Sequence, residues 1–166
     1  VPFGIWRPVR LVASGQVRVD DVYVKPDLNS DRSAEVHVEV TLQNHDAESR
    51  TVSVPITLAG KNFSGPTHSG QILATIAPGK QTLKTAIPIK DPQLWWPWDL
   101  GKPNLYMAEL RVEADGQIHD RSETTFGIRQ IQMAWNPGFS KDEVSFPRTV
   151  KLNGKTHFIR SACWGG

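Results

Sequence analysis

Hydrophobic and polar residues alternate with a period of two along most of this chain, and apolar positions at helical spacing are nearly absent. The cleanest run covers residues 36–42. Val36, Val38, Val40 and Leu42 fall on one side, while Glu35, His37, Glu39 and Thr41 fall on the other. Successive strand side chains point to opposite faces, so this run predicts a strand with one face in a core and one in solvent. Residues 51–58 repeat the scheme with Val52, Val54, Ile56 and Leu58 inward. Pro55 lacks a backbone donor, which predicts an edge strand or a bulge there. In residues 17–24 the apolar parity switches at Asp20-Asp21, which predicts a β-bulge.

Residues 71–76 and 82–89 flank Pro78-Gly79, which fits positions two and three of a type II turn, and the two segments are expected to pair. Tyr106, Ala108, Leu110 and Val112 form another inward row. Asp115-Gly116 then predicts a type I′ hairpin, with residues 118–128 returning. About seven strands therefore lie between Gly15 and Gln130, which predicts an all-β fold, an immunoglobulin-like antiparallel β-sandwich. Residues 1–13, with Trp6 and the strand-like Val9-Arg10-Leu11-Val12, do not fit it and need another partner sheet. Residues 131–166 also stand apart, with a Pro/Gly loop at Trp135-Asn136-Pro137-Gly138 and a second hairpin turn at Asn153-Gly154.

Between the fifth and sixth strands, Leu94-Trp95-Trp96-Pro97-Trp98 holds three of the chain's six tryptophans, fenced by Pro92, Pro97 and Pro103. Proline fixes φ and extends the residue before it, so residues 93–104 predict a stiff loop rather than a helix. Each indole can cover about 150–250 Å², so the loop needs something to bury against. Trp96 and Trp98, two apart, would form a sugar platform if the loop were extended. Trp95 or Trp96 is otherwise expected to anchor the loop in its own sandwich, leaving at least one ring unusually exposed.

Composition narrows the partners. Hydrophobic residues make up 39% of the 166, charged residues 22%, and no apolar run approaches the roughly 18 residues of a membrane-crossing helix. No membrane partner is expected. The net charge of +2 is spread along the chain with no basic run among stacking aromatics, which argues against nucleic acid. Cys163 is the only cysteine, so no internal disulfide forms. His37, His45, His68, His119 and His157 show no ligand spacing, and no metal or other cofactor is expected. Glu35 with Glu39, or Asp142 with Glu143, could be cast as a catalytic pair. Glu35 and Glu39 share a solvent-facing side, however, where carboxylates ordinarily stay hydrated. His37 between them is expected to partner their charge. Asn62-Phe63-Ser64 has the form of a glycosylation sequon, at a frequency that chance supplies.

Four stretches, in order, resemble glycoside hydrolase family 2, the family of β-galactosidases, β-glucuronidases and β-mannosidases. Gly4-Ile5-Trp6-Arg7-Pro8-Val9-Arg10-Leu11 is similar to the last strand of that family's amino-terminal jelly-roll sugar-binding domain. Leu94-Trp95-Trp96-Pro97 with Pro103-Asn104-Leu105-Tyr106, and then Phe126-Gly127-Ile128-Arg129, resemble its immunoglobulin-like domain. Leu152-Asn153-Gly154-Lys155 with Phe158-Ile159-Arg160 resembles the entry to its catalytic (β/α)8 barrel. The doubled Trp95-Trp96 looks more like β-mannosidases and exo-β-glucosaminidases than β-galactosidases.

The resemblance implies three parts: residues 1–14 from a jelly roll, 15–130 as the sandwich, and 131–166 as a linker with the first barrel strand. Neighbouring jelly-roll and barrel domains are the implied partners, with carbohydrate reached through the parent enzyme. Such enzymes are retaining and use two glutamates, with carboxyl groups about 5–5.5 Å apart. Only residues 151–166 follow Val150, against the roughly 250 residues of a barrel, and no Asn-Glu dipeptide occurs. Both ends read as cut from something longer, and this piece is expected to be catalytically inert. Arg160 and Trp164, near the end of the first barrel strand, are the implied contacts to the parent's terminal-sugar site. Trp95, Trp96 and Trp98 are implied interdomain contacts.

Overall fold

The computed structural model describes residues 4, 8–9, 11–136, 138 and 148–158. Period-two alternation yields seven consecutive strands: β1 (Val17–Leu28), β2 (Ala34–Asn44), β3 (Arg50–Gly60), β4 (His68–Ile76), β5 (Gly79–Ile89), β6 (Tyr106–Ala114) and β7 (Gln117–Phe126). They form two antiparallel sheets, ordered β1-β2-β5 and β4-β3-β6-β7, which pack face to face as an all-β sandwich. The inward residues of β2 (Val36, Val38, Val40, Leu42) meet those of β3 (Val52, Val54, Ile56, Leu58) and β6 (Tyr106, Ala108, Leu110, Val112) in one core. Each fully buried aliphatic chain contributes about 1.5–3 kcal/mol by removal from water.

The predicted bulge lies in β1, where the register against β2 slips between Val19 and Asp21. It lets the first part of β1 reach the opposite sheet's edge. The Gly15 N–H donates to the His119 carbonyl at 2.6 Å, Val17 N–H to His119 Nδ1 at 3.3 Å, and Val19 N–H to Asp120 Oδ2 at 2.8 Å. The sandwich is therefore stitched along its β1/β7 side. At the end of β7's hairpin, Asp115 and Gly116 have φ of 52° and 72°, as a type I′ turn requires.

Two expectations are corrected. β4 and β5 do not pair: Ile76 is matched with Arg50 of β3 and Gly79 with Asn44 of β2, so the chain at Pro78 crosses between sheets. The buried Asn44 braces this corner, its amide donating to the Ile76 carbonyl at 3.4 Å and the Glu48 carbonyl at 2.9 Å. Pro55 lies in an inner strand, not at an edge or bulge. β3 runs between β4 and β6, and its ladder to β6 lapses at Val54 and Pro55 before resuming in the same register. The missing donor is thus absorbed as a gap between strands.

A third, smaller sheet follows, ordered β10-β9-β8, from β8 (Ile131–Trp135), β9 (Arg148–Leu152) and β10 (Lys155–His157). Its β9/β10 hairpin turns at Asn153 and Gly154, with φ of 50° and 79°. Val9, Leu11 and Val12 are exposed, and Trp6 falls outside the described residues.

Candidate functional site

The tryptophan loop leaves β5 at Ile89 and enters β6 at Tyr106, and its own backbone polarity holds it in place. Gln93 N–H donates to the Tyr106 hydroxyl at 2.8 Å, and Asn104 Nδ2 donates to the Leu94 carbonyl at 3.2 Å. Tyr106 is wedged between Phe63, edge-on at 4.8 Å, and Phe126, stacked at 5.5 Å; burial pushes its phenol above the ordinary value of 10. The sequon residue Asn62 serves as a strut, accepting from Leu105 N–H at 2.8 Å and donating to the Pro103 carbonyl at 2.9 Å.

Leu94 bridges to Ile128, the buried residue that follows β7, and packs against the sandwich core. Trp95 and Trp96 are both more than half-buried, and Leu94 beside them is the residue of the loop that packs directly against the core. Alternation explains this, because a residue turned inward at 94 turns its neighbour away. Trp95 N–H donates to the Ile128 carbonyl at 2.8 Å while its side chain lies against Gly127, where an added Cβ would come within 2.9 Å of the Trp95 Cβ and 3.0 Å of the ring. The Arg129 guanidinium sits 4.7 Å from that ring's centre, stacked on the indole.

Trp96 rests on Gly101 and lies under the Lys155 ammonium, 5.1 Å from its ring centre. The chain then reverses, with Leu100 N–H and Gly101 N–H both donating to the Pro97 carbonyl, at 2.9 and 3.1 Å. This turn interrupts the extended geometry that would align Trp96 with Trp98. Trp98 stands free at 85% exposure.

Besides Lys155 over Trp96, Asn153 latches the small sheet to this loop. Asn153 N–H donates to the Gln130 carbonyl at 2.8 Å, Asn153 Oδ1 accepts from Gln130 N–H at 2.8 Å, and Asn153 Nδ2 donates to the Trp95 carbonyl at 3.0 Å. Gln130 in turn donates to the Leu28 carbonyl at 3.3 Å. Sequence reasoning placed Asn153 only as a turn former. Its side-chain role has no local signature, because both partners are distant backbone groups.

The remaining candidates do not assemble. His37 lies 3.3 Å from Asp27 and 3.8 Å from Glu35, while Glu39 pairs with Lys84 at 2.7 Å. No group of three potential metal ligands occurs among the described residues. Among the described residues, the carboxylates whose proton affinity is clearly moved, Asp20, Asp31 and Asp46, are all held below the ordinary range by hydrogen bonds, chiefly from Lys80, Ser33 and Arg50 respectively. A general acid needs the opposite shift. Asp142, Glu143, Arg160 and Trp164 lie outside the described residues.

What the described residues build is a β-sandwich with an aromatic loop latched to a following small sheet. This chain belongs to the glycosyl hydrolases family 2, whose family model matches residues 17–129. It is 33% identical to a mannosylglycoprotein endo-beta-mannosidase of Lilium longiflorum, over 97% of this chain and 17% of that protein. It is 30% identical to a beta-mannosidase B of Aspergillus terreus, over 97% and 18% respectively. An exo-beta-D-glucosaminidase of Hypocrea jecorina is 30% identical over 77% of this chain and 15% of its own length. The chain thus spans only 15–18% of these curated relatives. Among solved structures, an exo-chitosanase of Amycolatopsis orientalis shares the fold at a TM-score of 0.67 and 24% identity, over 86% of this chain and 16% of that one. A family 2 member from Bacteroides cellulosilyticus does so at 0.66 and 24%, over 86% and 18%.

Proposed function

We propose that this chain is a non-catalytic scaffold within a longer, retaining, exo-acting glycoside hydrolase that removes terminal β-linked sugars, mannosidase-like or glucosaminidase-like. Residues 15–130 form its immunoglobulin-like domain, residues 1–14 close a preceding jelly roll, and residues 131–166 lead into a (β/α)8 barrel. The observation that carries this reading is coverage: 97% of the chain aligns with 17–18% of two mannosidases, and the aligned part is a β-sandwich. In the longer protein the latched loop turns Trp98 toward a neighbouring domain, and Arg160 and Trp164 contribute to the terminal-sugar site. The chain alone should give background hydrolysis of nitrophenyl β-mannoside and β-glucosaminide; turnover that survives repurification would overturn the scaffold reading.

A second reading, a sugar-binding module, draws on the free indole of Trp98. Isothermal titration with manno- and chito-oligosaccharides separates the two. Saturable binding at millimolar or tighter affinity, lost in Trp96→Ala and Trp98→Ala, would replace the scaffold with the binding module.

A further inference from the structure

The outer faces of the two sandwich sheets carry charge in opposite ways. On the β1-β2-β5 sheet unlike charges meet across the strands: Lys84 pairs with Glu39 at 2.7 Å, and Lys80 with Asp20 at 2.7 Å. On the β4-β3-β6-β7 sheet like stands opposite like. Glu109 of β6 is directly opposed to Glu123 of β7, and in the next row Arg111 is directly opposed to Arg121. All four side chains are exposed, while Ala108, Leu110 and Val112 between them turn into the core. Opposed residues hold their Cβ atoms about 4.5–5.5 Å apart, where like charges destabilise a strand pair. Among the described residues, the one ion pair these four make is Arg111 with Glu113, at 3.6 Å. Leu73 and Ile118, 70% and 44% exposed, stand at the two ends of the neighbouring row through Ser53 and Glu113.

We infer that this face docks on the same face of a second copy of this chain, about a two-fold axis. The charge pattern selects the partner. Two rows of opposite sign, about 6.8 Å apart along the strands, are complementary to themselves. A two-fold axis that runs across the strands, between the rows, turns the glutamate row of one copy onto the arginine row of the other. Glu109 then faces Arg111 of the second copy, and Glu123 faces its Arg121. Each charge that meets its like within the chain meets its opposite across the contact, and both copies use one patch, as an isologous dimer requires. The arrangement is ordinary sheet-on-sheet packing, with faces about 10 Å apart and strands within about 30° of alignment. Arginine and glutamate side chains reach each other across that gap, and the same contact covers Leu73 and Ile118. Area sets the strength. Four strands about 4.8 Å apart and about 30 Å long present roughly 600 Å² on each copy, the small end of specific interfaces, so the dimer is a weak one. This association is independent of the scaffold reading above, which the hydrolysis assay decides.

Sedimentation velocity of the 166-residue chain tests it. At about 50 mM salt the chain should pass from monomer to dimer over roughly 1–100 μM protein, and about 0.5 M salt should weaken the dimer by about tenfold or more, because salt screens exposed pairs. Glu109→Arg with Glu123→Arg makes both rows positive, and Arg111→Glu with Arg121→Glu makes both negative. Each variant alone should stay monomeric at about 100 μM; mixed in equal amounts they should dimerise again, a recovery that misfolded chains would not give. Glu109→Gln with Glu123→Gln keeps the side-chain size without adding repulsion, and should weaken the dimer by about tenfold. A parent that stays monomeric to about 500 μM at low salt would overturn the inference, and so would a dimer that the glutamine variant leaves unchanged. Variants that melt as the parent does yet fail to recover on mixing would overturn it as well. A monomeric parent that binds chito-oligosaccharide, with binding lost in the glutamine variant, would assign the glutamate row to a cationic sugar instead.

Discussion

Replacing Asn153 by alanine tests whether one side chain holds the small sheet to the tryptophan loop. The substitution deletes the hydrogen bonds to the Trp95 carbonyl and from Gln130 N–H, each worth about 1 kcal/mol net in a part-buried setting. It also asks alanine to adopt a φ of 50°, a left-handed conformation that costs about 1–2 kcal/mol beyond glycine. The sum is about 3 kcal/mol, and it falls on the latch, because the bonds lost join Asn153 to Gln130 and to the tryptophan loop. Native-state amide exchange reads it directly. Protection of amides in β8 and β9 should fall by about 100-fold, since 1.4 kcal/mol is a factor of ten. Amides of Val38 and Ile56, deep in the sandwich, should be unmoved. Asn153→Gly keeps the backbone freedom and loses only the two bonds, so its effect should be smaller, about 30-fold. Unchanged protection in β8 and β9, or equal loss in Val38 and Ile56, would refute a latch of this kind.

Three further outcomes follow from the core, from an ion pair and from a buried phenol. Ile56→Ala, at a position 1% exposed between the two sheets, should cost about 2–5 kcal/mol in urea unfolding, and an unchanged midpoint would contradict the placement of β3 at the centre. Asp20 is held below its ordinary 3.8 by Lys80 and Arg18, so its stabilisation is present above about pH 4 and is lost as pH falls through the depressed folded value. Unfolding midpoints between pH 5 and pH 2 should therefore drop less steeply in Asp20→Asn, and parallel curves would show that the pair contributes nothing. Tyr106 is raised above 10 by burial, so its contribution is complete below pH 10 and is lost as pH rises through the folded value. Tyr106→Phe should cost about 1 kcal/mol at pH 7, through the orphaned Gln93 N–H, and should flatten the alkaline loss; an undiminished alkaline loss in the variant would exclude Tyr106 as its source.

The sandwich was legible wherever one strand face is buried, because burial writes a period of two into the sequence. Val36 to Leu42 and Val52 to Leu58 show this, and the parity switch at Asp20-Asp21 marked the bulge. What stayed illegible was pairing across the fold. The Pro78-Gly79 turn reads the same whether its strands stay in one sheet or part company, and only the partners of Ile76 and Gly79 decide it. β8 escaped notice for a related reason: Ile131, Met133 and Trp135 do alternate, but so short a run beside a proline and glycine loop carries little signal. The tryptophan loop was recognisable by composition, yet its anchoring by Leu94 depends on a bridge to Ile128 that no local pattern announces.

The loop's three indoles consequently have three fates, each set by what lies one residue away. Leu94 turns inward, so Trp95 must turn outward onto Gly127 and Arg129, where only a residue without a side chain leaves room for the ring. Trp96 is roofed by Lys155, a residue of the small sheet, so its burial depends on the Asn153 hairpin staying in place. Trp98 comes after the reversal at Pro97 and is covered by neither. Loss of the hairpin would thus strip one face of Trp96 while leaving Trp95 clamped to the sandwich. Within this loop, the coupling between the sandwich and whatever follows β10 runs through the ring of Trp96 and the carbonyl of Trp95, two adjacent groups on a segment already pinned at Leu94.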